Sequence, residues 1–148
     1  MGRLVEKIKG CQLICIDTNS FIYLMENNPK YFDEIKSMFK IIESGSVFGV
    51  SSMLVITELL TKPYKDGNQT LINRYKAFIN AFPNLHLRQI DYKVLVKAAK
   101  LRAEYGIKTP DAIFVATGIE EGAKIFVTND KRLKNIEGIE FIILDDFI

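Results

Sequence analysis

The 148-residue sequence has few of the residues that build soft metal sites and thiol chemistry. It contains two cysteines, Cys11 and Cys15, one histidine, His86, and no tryptophan. These three residues cannot form a four-ligand zinc site, and the cysteines do not form a C-x-x-C redox motif. Cys15 lies within an apolar run, where a cysteine behaves as a small hydrophobe. We therefore expect the chemistry of this protein to use oxygen ligands.

Long apolar runs are also missing. No stretch approaches the roughly 18 residues of a membrane helix, and the opening MGRLVEKIKG has no apolar signal core. Glu6 stands where an N-myristoylation motif has Ser or Thr. These features predict a cytoplasmic protein with no membrane partner. The 48% hydrophobic and 26% charged residues are ordinary for a globular protein, and the length suits one domain with a sizeable core.

The net charge of +2 conceals an uneven distribution. Residues 61–108 contain ten Lys and Arg residues against three Asp and Glu residues, a net charge of +7, and the rest of the chain carries −5. Such a basic segment suits a polyanion, because Lys and Arg neutralise phosphates. The alternative is a solvated helix face, since Lys93, Lys97 and Lys100 follow a helical spacing.

Short apolar runs alternate with segments of helical period along the chain. Strands are predicted at residues 13–16, 47–50, 85–90, 124–127 and 140–143. Helices are predicted from residue 21 to a break at 27–29, at 32–44, 51–60, 69–80 and 92–105, and from 110, with a loop at 62–68. This alternation predicts an α/β fold, a single three-layer α/β/α domain with a central, mostly parallel sheet.

Three acidic residues stand at the positions where such sheets bind ligands. Asp17 directly follows the first predicted strand, and Asp130 follows the strand that ends in FVT. Asp111 opens the apolar segment TPDAIFVAT, which predicts a helix buried on most sides with Thr109 as its N-cap. Because open α/β sheets bind ligands at the carboxyl ends of their strands, we expect Asp17 and Asp130 to share one edge.

A fourth acid, Glu58, lies in the apolar segment SSMLVITELL. Leu54 precedes it by four residues, and Leu59 and Leu60 follow it. We expect Glu58 to be buried and therefore protonated, paired or directed into a polar cavity, since an unpaired buried carboxylate is costly. The alternative is an exposed glutamate near a helix end.

Each acid also has an ordinary structural explanation, as a helix cap, an Asx-turn residue or a partner of the helix dipole. If the acids cluster, their charges repel, by about 4 kcal/mol for two unit charges 4 Å apart at an effective dielectric of 20. A hard divalent cation would remove this repulsion. Mg²⁺ and Mn²⁺ prefer oxygen ligands, which suits a carboxylate cluster without His or Cys.

Four segments of the chain resemble the four signature blocks of the PIN domain family. They are, in order, ICIDTNSFIYL, SSMLVITELL, TPDAIFVAT and FVTNDKRL. The resemblance covers about residues 13–146, and the short single-domain form is similar to VapC-type toxin ribonucleases. Residues 1–12 form a short N-terminal extension, longer than many small PIN toxins carry, which weakens the resemblance to the toxins more than that to the nucleases.

The resemblance implies a parallel sheet with flanking helices and a Mg²⁺- or Mn²⁺-dependent ribonuclease site. Carried over block by block, the family's acids fall on Asp17, Glu58, Asp111 and Asp130, with polar residues that support them at Asn19 and Thr128. Asp17 and Asp111 are the first choices for metal ligands. Glu58 and Asp130 would complete a second metal position or orient the attacking water.

The resemblance also implies RNA as the substrate, a small antitoxin protein as a partner, and a homodimer. Lys62 and Lys65 follow the Glu58 helix and Lys108 precedes Asp111 by three residues, so these three lysines are candidate RNA contacts. The many apolar residues of the first two helices, between residues 21 and 39, predict an exposed interface, with packing on the core as the alternative.

Other functions remain open from the sequence. A haloacid-dehalogenase-type phosphatase would have a second aspartate where Asn19 stands, and a phospho-accepting receiver domain would have an acidic pair where the chain has Asp17 and Thr18. A PIN-type nuclease of RNA processing or quality control, outside a toxin–antitoxin pair, is a further alternative. The last is a catalytically inactive PIN interaction module.

Overall fold

The computed structural model describes residues 3–147, and within them an all-parallel sheet of five strands forms the centre of the molecule. The strands are β1 (Leu13–Ile16), β2 (Phe48–Ser52), β3 (Leu85–Arg88), β4 (Ile125–Thr128) and β5 (Glu140–Ile143). Their order across the sheet is β3-β2-β1-β4-β5. The predicted α/β fold with a parallel central sheet is confirmed, and every neighbouring pair of these strands is parallel.

Helices connect the strands. They are α1 (Arg3–Ile8), α2 (Thr18–Met25), α3 (Phe32–Glu43), α4 (Leu54–Lys65), α5 (Gln69–Ala81), α6 (Tyr92–Tyr105) and α7 (Thr109–Glu120), with two short 3-10 helices at Lys131–Leu133 and Leu144–Phe147. Parallel connections are right-handed, so the helices between β1 and β3 cover one face of the sheet, and α6 and α7, which lead back to β4, cover the other. The result is the expected three-layer arrangement.

Strand β1 lies at the centre of the sheet and of the core. Ile14, Cys15 and Ile16 are fully buried between β2 and β4, which confirms the expectation that Cys15 packs as a small hydrophobe. On one face, α7 lies so close to β1 that a side chain at Gly118 would press on Cys15. Helix α7 is accordingly buried without interruption from Ala112 to Gly118, as its sequence predicted.

The aromatic residues of α2 and α3 do not form an exposed interface, contrary to the sequence prediction. Phe21, Met38 and Phe39 are buried, and Tyr31 is nearly so. Phe78 of α5 contacts both Phe21 and Phe39 edge-on, with ring centroids 6.0 and 5.5 Å apart. Helix α5 therefore covers the apolar surface that α2 and α3 would otherwise expose.

The start and end of α4 differ from the sequence prediction. Ser51 and Ser52 belong to β2, where they pair with β3, so α4 begins at Leu54. The Ser52 hydroxyl nevertheless accepts the amide N–H of Leu54 at 3.1 Å, so it caps the start of the helix from the end of the strand. The helix continues to Lys65 through Pro63, where a loop was predicted. Pro63 is buried in one stripe with Leu59 and Val55, four and eight residues earlier, and this packing holds the last turn helical.

The N-terminal extension folds as a helix that the sequence analysis did not predict. Leu4, Val5 and Ile8 of α1 are buried, and α1 packs against α3. The guanidinium of Arg3 lies 5.5 Å from the ring centroid of Phe147, near the other end of the chain. Six residues are too few for a periodic pattern, so only packing identifies this helix.

Candidate active site

The site lies at the point where the chain reverses its direction of travel across the sheet. From β1 the chain moves outward to β2 and β3, then returns to the other side of β1 to form β4. Asp17 follows β1 directly, and its amide donates to the carbonyl of Val127 on β4 at 3.4 Å. Asp130 follows β4. The carboxyl ends of these neighbouring strands therefore place both acids at a topological switch point.

Thr128, the last residue of β4, connects the two acids. Its hydroxyl is buried and donates to Oδ2 of Asp17 at 2.5 Å. The same oxygen accepts the amide N–H of Asp130 at 3.1 Å. A hydroxyl can donate and accept at once, so Thr128 orients Asp17 and anchors the turn that carries Asp130.

The Asp17 carboxylate has an unusual environment. Its Oδ1 atom is buried and has no hydrogen-bond partner among residues 3–147, and the side chain forms no capping hydrogen bond to α2. Burial raises the pKa of this carboxyl to about 7. The hydrogen bond from Thr128 and the dipole of the nearby Asn19 amide lower this pKa, and the charges of Asp111 and Glu58 raise it. The ordinary explanation of Asp17 as a helix cap is therefore insufficient.

Asp111 and Asp130 form a second pair of acids, joined by one arginine. Burial raises the pKa of Asp111, and the charge of Asp130 adds to this effect. Arg132 donates to Asp130 in a two-point contact, with Nε 3.0 Å from Oδ1 and Nη2 2.7 Å from Oδ2. The same Nη2 lies 3.9 Å from Oδ2 of Asp111. These hydrogen bonds lower the pKa of Asp130.

Glu58 lies on an exposed side of α4, so the expectation that it is buried was wrong. The buried stripe of α4 is narrow, and it leaves Thr57, Glu58 and Thr61 facing solvent. Thr18, at the start of α2, donates its hydroxyl to Glu58 Oε1. Glu58 is nevertheless near enough to Asp17 for its charge to raise the pKa of that carboxyl.

Asp111 lies in the first turn of α7, as its sequence predicted, but the helix begins one residue earlier than expected. Lys108 is the N-cap, without a side-chain hydrogen bond, and Thr109 is already helical. Thr109 precedes Pro110, whose fixed φ suits the first turn. This start leaves the Asp111 side chain 32% exposed.

A model of the PIN domain family matches residues 14–139. The chain belongs to the PIN domain family. The match contains all four acids, Thr128 and Arg132, and the family's members are generally nucleases that use divalent metals. No curated protein matches the chain.

The PIN fold is shared with solved toxin–antitoxin proteins. The chain resembles VapBC from Salmonella typhimurium, solved bound to DNA, with 21% identity and a TM-score of 0.66 over 90% of this chain and 98% of that one. VapBC2 from Rickettsia felis, bound to a promoter DNA fragment, gives 19% identity and a TM-score of 0.65 over 89% and 98%. A toxin–antitoxin complex from Klebsiella pneumoniae gives 19% and 0.67 over 88% and 97%.

The other predicted site residues lie around the PIN acids with fewer contacts. The Asn19 side chain is exposed and makes no hydrogen bond within the described part of the chain, residues 3–147. Lys62 and Lys65, on the last turn of α4, are also exposed, and Lys62 pairs with Asp66 at 3.1 Å. Lys108 is the one of the three whose charge lowers the pKa of both Asp111 and Asp130.

Two residues of this PIN site were missed by the sequence analysis, Thr18 and Arg132. Each lies inside a recognised block, Thr18 directly after the first acid and Arg132 two residues after the last. A threonine beside an acid and a basic residue on a short turn are both ordinary, so neither gives a signal by itself. Their contacts with Glu58 and with Asp130 exist only in the folded chain.

The four acids, Asp17, Glu58, Asp111 and Asp130, are called the acid cluster here. Their oxygen atoms suit a hard cation, although the side chains are not arranged as a complete set of metal ligands. Within residues 3–147, no three Asp, Glu, His or Cys side chains stand together as a metal site. The available donors are carboxylate oxygens, which Mg²⁺ and Mn²⁺ prefer. Oδ1 of Asp17 is buried without a partner, while Glu58 and Asp130 are held by Thr18 and Arg132.

Large exposed apolar side chains occur away from the PIN acids. Four of them lie at the start of α6 or just before it, namely Ile90, Tyr92, Leu95 and Val96, and Tyr92 is 82% exposed.

Within residues 3–147, no helix is long and apolar enough to cross a membrane.

Proposed function

We propose that this PIN domain is a metal-dependent endoribonuclease that hydrolyses RNA phosphodiester bonds, and that it is the toxin of a toxin–antitoxin pair. One observation carries the nuclease proposal. A buried, unpartnered oxygen of Asp17 lies at the switch point of the sheet, where the charges of Asp111 and Glu58 act on it. Carboxylates whose negative charges oppose one another at such an edge favour a cation over a structural role.

Asp17 and Asp111 would hold the metal directly, with Glu58 and Asp130 at a second position or beside the attacking water. The chemistry that Mg²⁺ or Mn²⁺ supplies when bound is activation of water and stabilisation of charge on the attacked phosphate. Thr128 keeps Asp17 in one orientation, so the carboxylate would need no rearrangement to bind a metal ion. Glu58, which is exposed and hydrogen-bonded to Thr18, would accept a proton from water.

RNA would cross the acid cluster with its flanking phosphates near the basic part of the chain. Lys108 supports this proposal, because it caps α7 beside Asp111 and carries its charge at the edge of the cluster. Lys62 and Lys65 extend the basic surface at the end of α4. The phosphates of RNA are drawn to such cations without regard to sequence.

The proposed partners are a small antitoxin protein and a second copy of the chain. The solved VapBC proteins and the toxin–antitoxin complex that share this fold support the antitoxin as a partner. The exposed apolar residues at the start of α6 offer surface for such contacts. Light scattering on the isolated chain measures its oligomeric state, and a monomer at micromolar concentration contradicts the homodimer.

An RNA-cleavage assay tests the nuclease proposal. Wild type and Asp17→Asn are incubated with RNA in Mg²⁺, in Mn²⁺ and in EDTA, with a small phosphomonoester as a second substrate. We expect RNA cleavage by the wild type in both metals, and none in EDTA or by Asp17→Asn. Turnover of the phosphomonoester without RNA cleavage would overturn the proposal in favour of a phosphatase, and no turnover at all would favour an inactive interaction module.

A further inference from the structure

Arg132 occupies the place between two proposed metal ligands. The Nε and Nη2 atoms of its guanidinium bind the two carboxylate oxygens of Asp130, and Nη2 also lies 3.9 Å from Oδ2 of Asp111. The backbone amide of Arg132 also donates to Asp130 Oδ1 at 3.0 Å. A planar guanidinium matches a carboxylate at two points, which makes this contact directional as well as charged.

Arg132 lies at a position from which its side chain can move away from Asp130 and Asp111. It lies on the 3-10 helix Lys131–Leu133, which the buried Leu133 anchors to the core, while the Arg132 side chain itself is 70% exposed. An exposed ion pair is usually weak, and a two-point contact shared by two acids is among the stronger cases. Because the side chain is already largely hydrated, moving the guanidinium into water costs mainly its contacts with the acids, while keeping it in place neutralises their repulsion.

A cleft next to Arg132 gives the side chain room to move. The cleft has a volume of about 220 Å³ and is lined by Lys108, Asp111, Arg132 and Leu133 together with residues 105–107. Arg132 thus stands between the acids on one side and an open space on the other. A rotation about its side-chain bonds, with no change in the backbone, would remove the guanidinium from Asp130 and Asp111 and leave only the backbone amide of Arg132 on Asp130 Oδ1.

We propose that Arg132 is a built-in counter-cation that occupies the acid cluster when no metal is bound, and that metal binding displaces it. The proposal rests on the proposed function, because it takes Asp111 and Asp130 as the ligands of a divalent cation. Two cations cannot share the same carboxylate oxygens at these distances without strong repulsion. Arg132 and the metal therefore compete, and the affinity for the metal includes the cost of releasing the arginine.

Metal affinity in the absence of RNA tests the competition. The Kd for Mn²⁺ is measured by titration calorimetry on the full chain, for wild type, Arg132→Ala, Arg132→Lys and Lys131→Ala. Lys131→Ala is the matched control, because it removes the same charge from the same short helix and Lys131 makes no ion pair within residues 3–147. We expect Arg132→Ala to lower the Kd by about tenfold, the worth of a charge-assisted two-point contact.

The remaining variants separate the two-point contact from charge alone. We expect Lys131→Ala to change the Kd by about twofold or less, as for an exposed charge. Arg132→Lys should fall between wild type and Arg132→Ala, because an ammonium cannot bind both oxygens in one plane. In EDTA, Arg132→Ala should melt at a lower temperature than wild type, and a saturating Mn²⁺ concentration should raise its melting temperature by more.

The outcomes distinguish this proposal from the nuclease proposal. An unchanged Kd in Arg132→Ala overturns the competition, and a weaker affinity would mean that Arg132 holds Asp130 in place for the metal. Tighter Mn²⁺ binding by Arg132→Ala supports the competition even if the wild type cleaves no RNA, which would contradict the nuclease alone. The absence of Mn²⁺ binding in every variant would overturn both proposals.

Discussion

At the scale of single residues, the environment of the Asp17 carboxylate, with Thr128 on one oxygen, distinguishes the site. Thr128 satisfies one oxygen of Asp17, and burial leaves the other without a partner. A group in this position is costly to keep charged, so the metal-free protein contains a local source of instability. Such a cost is understandable where a cation completes the environment of the carboxylate.

The raised pKa of Asp17 predicts a pH dependence of stability. The folded pKa of about 7 lies above the unfolded value of about 3.9. Between these values the native state binds more protons than the unfolded state, so this group makes stability fall as the pH rises from about 4 to about 7. In EDTA, we expect Asp17→Asn to gain in melting temperature relative to wild type between pH 5 and pH 8.

The pH effect has a matched control in Asp33→Asn, an exposed aspartate on α3. Its melting temperature relative to wild type should stay constant over the same range. Parallel curves for wild type and Asp17→Asn would mean that the Asp17 carboxyl is not protonated more readily in the folded protein.

Asp111 distinguishes a ligand from a helix-dipole partner. Burial and the charge of Asp130 raise the pKa of Asp111, so its negative charge is unfavourable in the metal-free protein. We expect Asp111→Asn to be neutral or stabilising in urea unfolding with EDTA, and to abolish RNA cleavage. A loss of about 1 kcal/mol in EDTA would instead fit the favourable interaction of a carboxylate with the start of α7.

At the scale of elements, the start of α7 brings a cation and an acid to the same place. Lys108 caps the helix and Asp111 lies three residues later in its first turn. The 3-10 helix after β4 brings Arg132 to the same cluster from the other side. Two short pieces of backbone therefore set the charge pattern that a polynucleotide would meet.

The basic residues next to the acids predict how RNA binding responds to salt. In Asp17→Asn protein with Mn²⁺, we expect Lys108→Ala to weaken RNA binding and to reduce the slope of log K against log salt by roughly 0.7 to 1 unit, the effect of one lost phosphate contact. Lys62→Ala should have a similar but smaller effect, since Asp66 already pairs with Lys62.

Lys40→Ala on α3 serves as the control for RNA binding, because Lys40 is exposed and lies near the end of α3, which leads to the start of β2 at the opposite edge of the sheet. Filter binding or fluorescence anisotropy at several salt concentrations measures the slopes. Equal slopes for Lys108→Ala, Lys62→Ala and Lys40→Ala would place the RNA path elsewhere.

Helix α1 is an integral part of the core, which predicts a large cost for a small change. Leu4 is fully buried, so Leu4→Ala should lower the free energy of unfolding by about 2–5 kcal/mol. Leu95→Ala on α6 is the matched control, because Leu95 is 48% exposed, and it should cost well under 1 kcal/mol. Similar unfolding curves for the two variants would show that α1 contributes little.

At the scale of the whole molecule, metal binding and folding are linked. A metal that binds the native cluster and not the unfolded chain stabilises by mass action, by about 2.7 kcal/mol at a concentration of 100 times Kd. We expect Mn²⁺ to raise the melting temperature of the wild type, and Asp17→Asn and Asp111→Asn to lose most of that rise. An equal rise in all three proteins would indicate binding away from the acid cluster.

The sequence by itself determined the parallel sheet and the edge of the sheet at which Asp17 and Asp130 lie. Strand β1 and helix α6 were predicted with their observed boundaries, because a short apolar run and a period of 3.6 residues are local signals. An acid directly after a parallel strand lies at the carboxyl edge whatever the details of packing, so Asp17 and Asp130 were placed correctly at that edge.

Only the tertiary structure decided which faces are covered and which charges meet. Glu58 is exposed because α4 buries a single narrow stripe, and α1 is a helix because α3 offers a surface for it. Arg132 binds Asp130 and approaches Asp111, which lies 21 positions earlier in the chain. Contacts between distant segments depend on how helices and turns pack, and a local pattern contains no record of them.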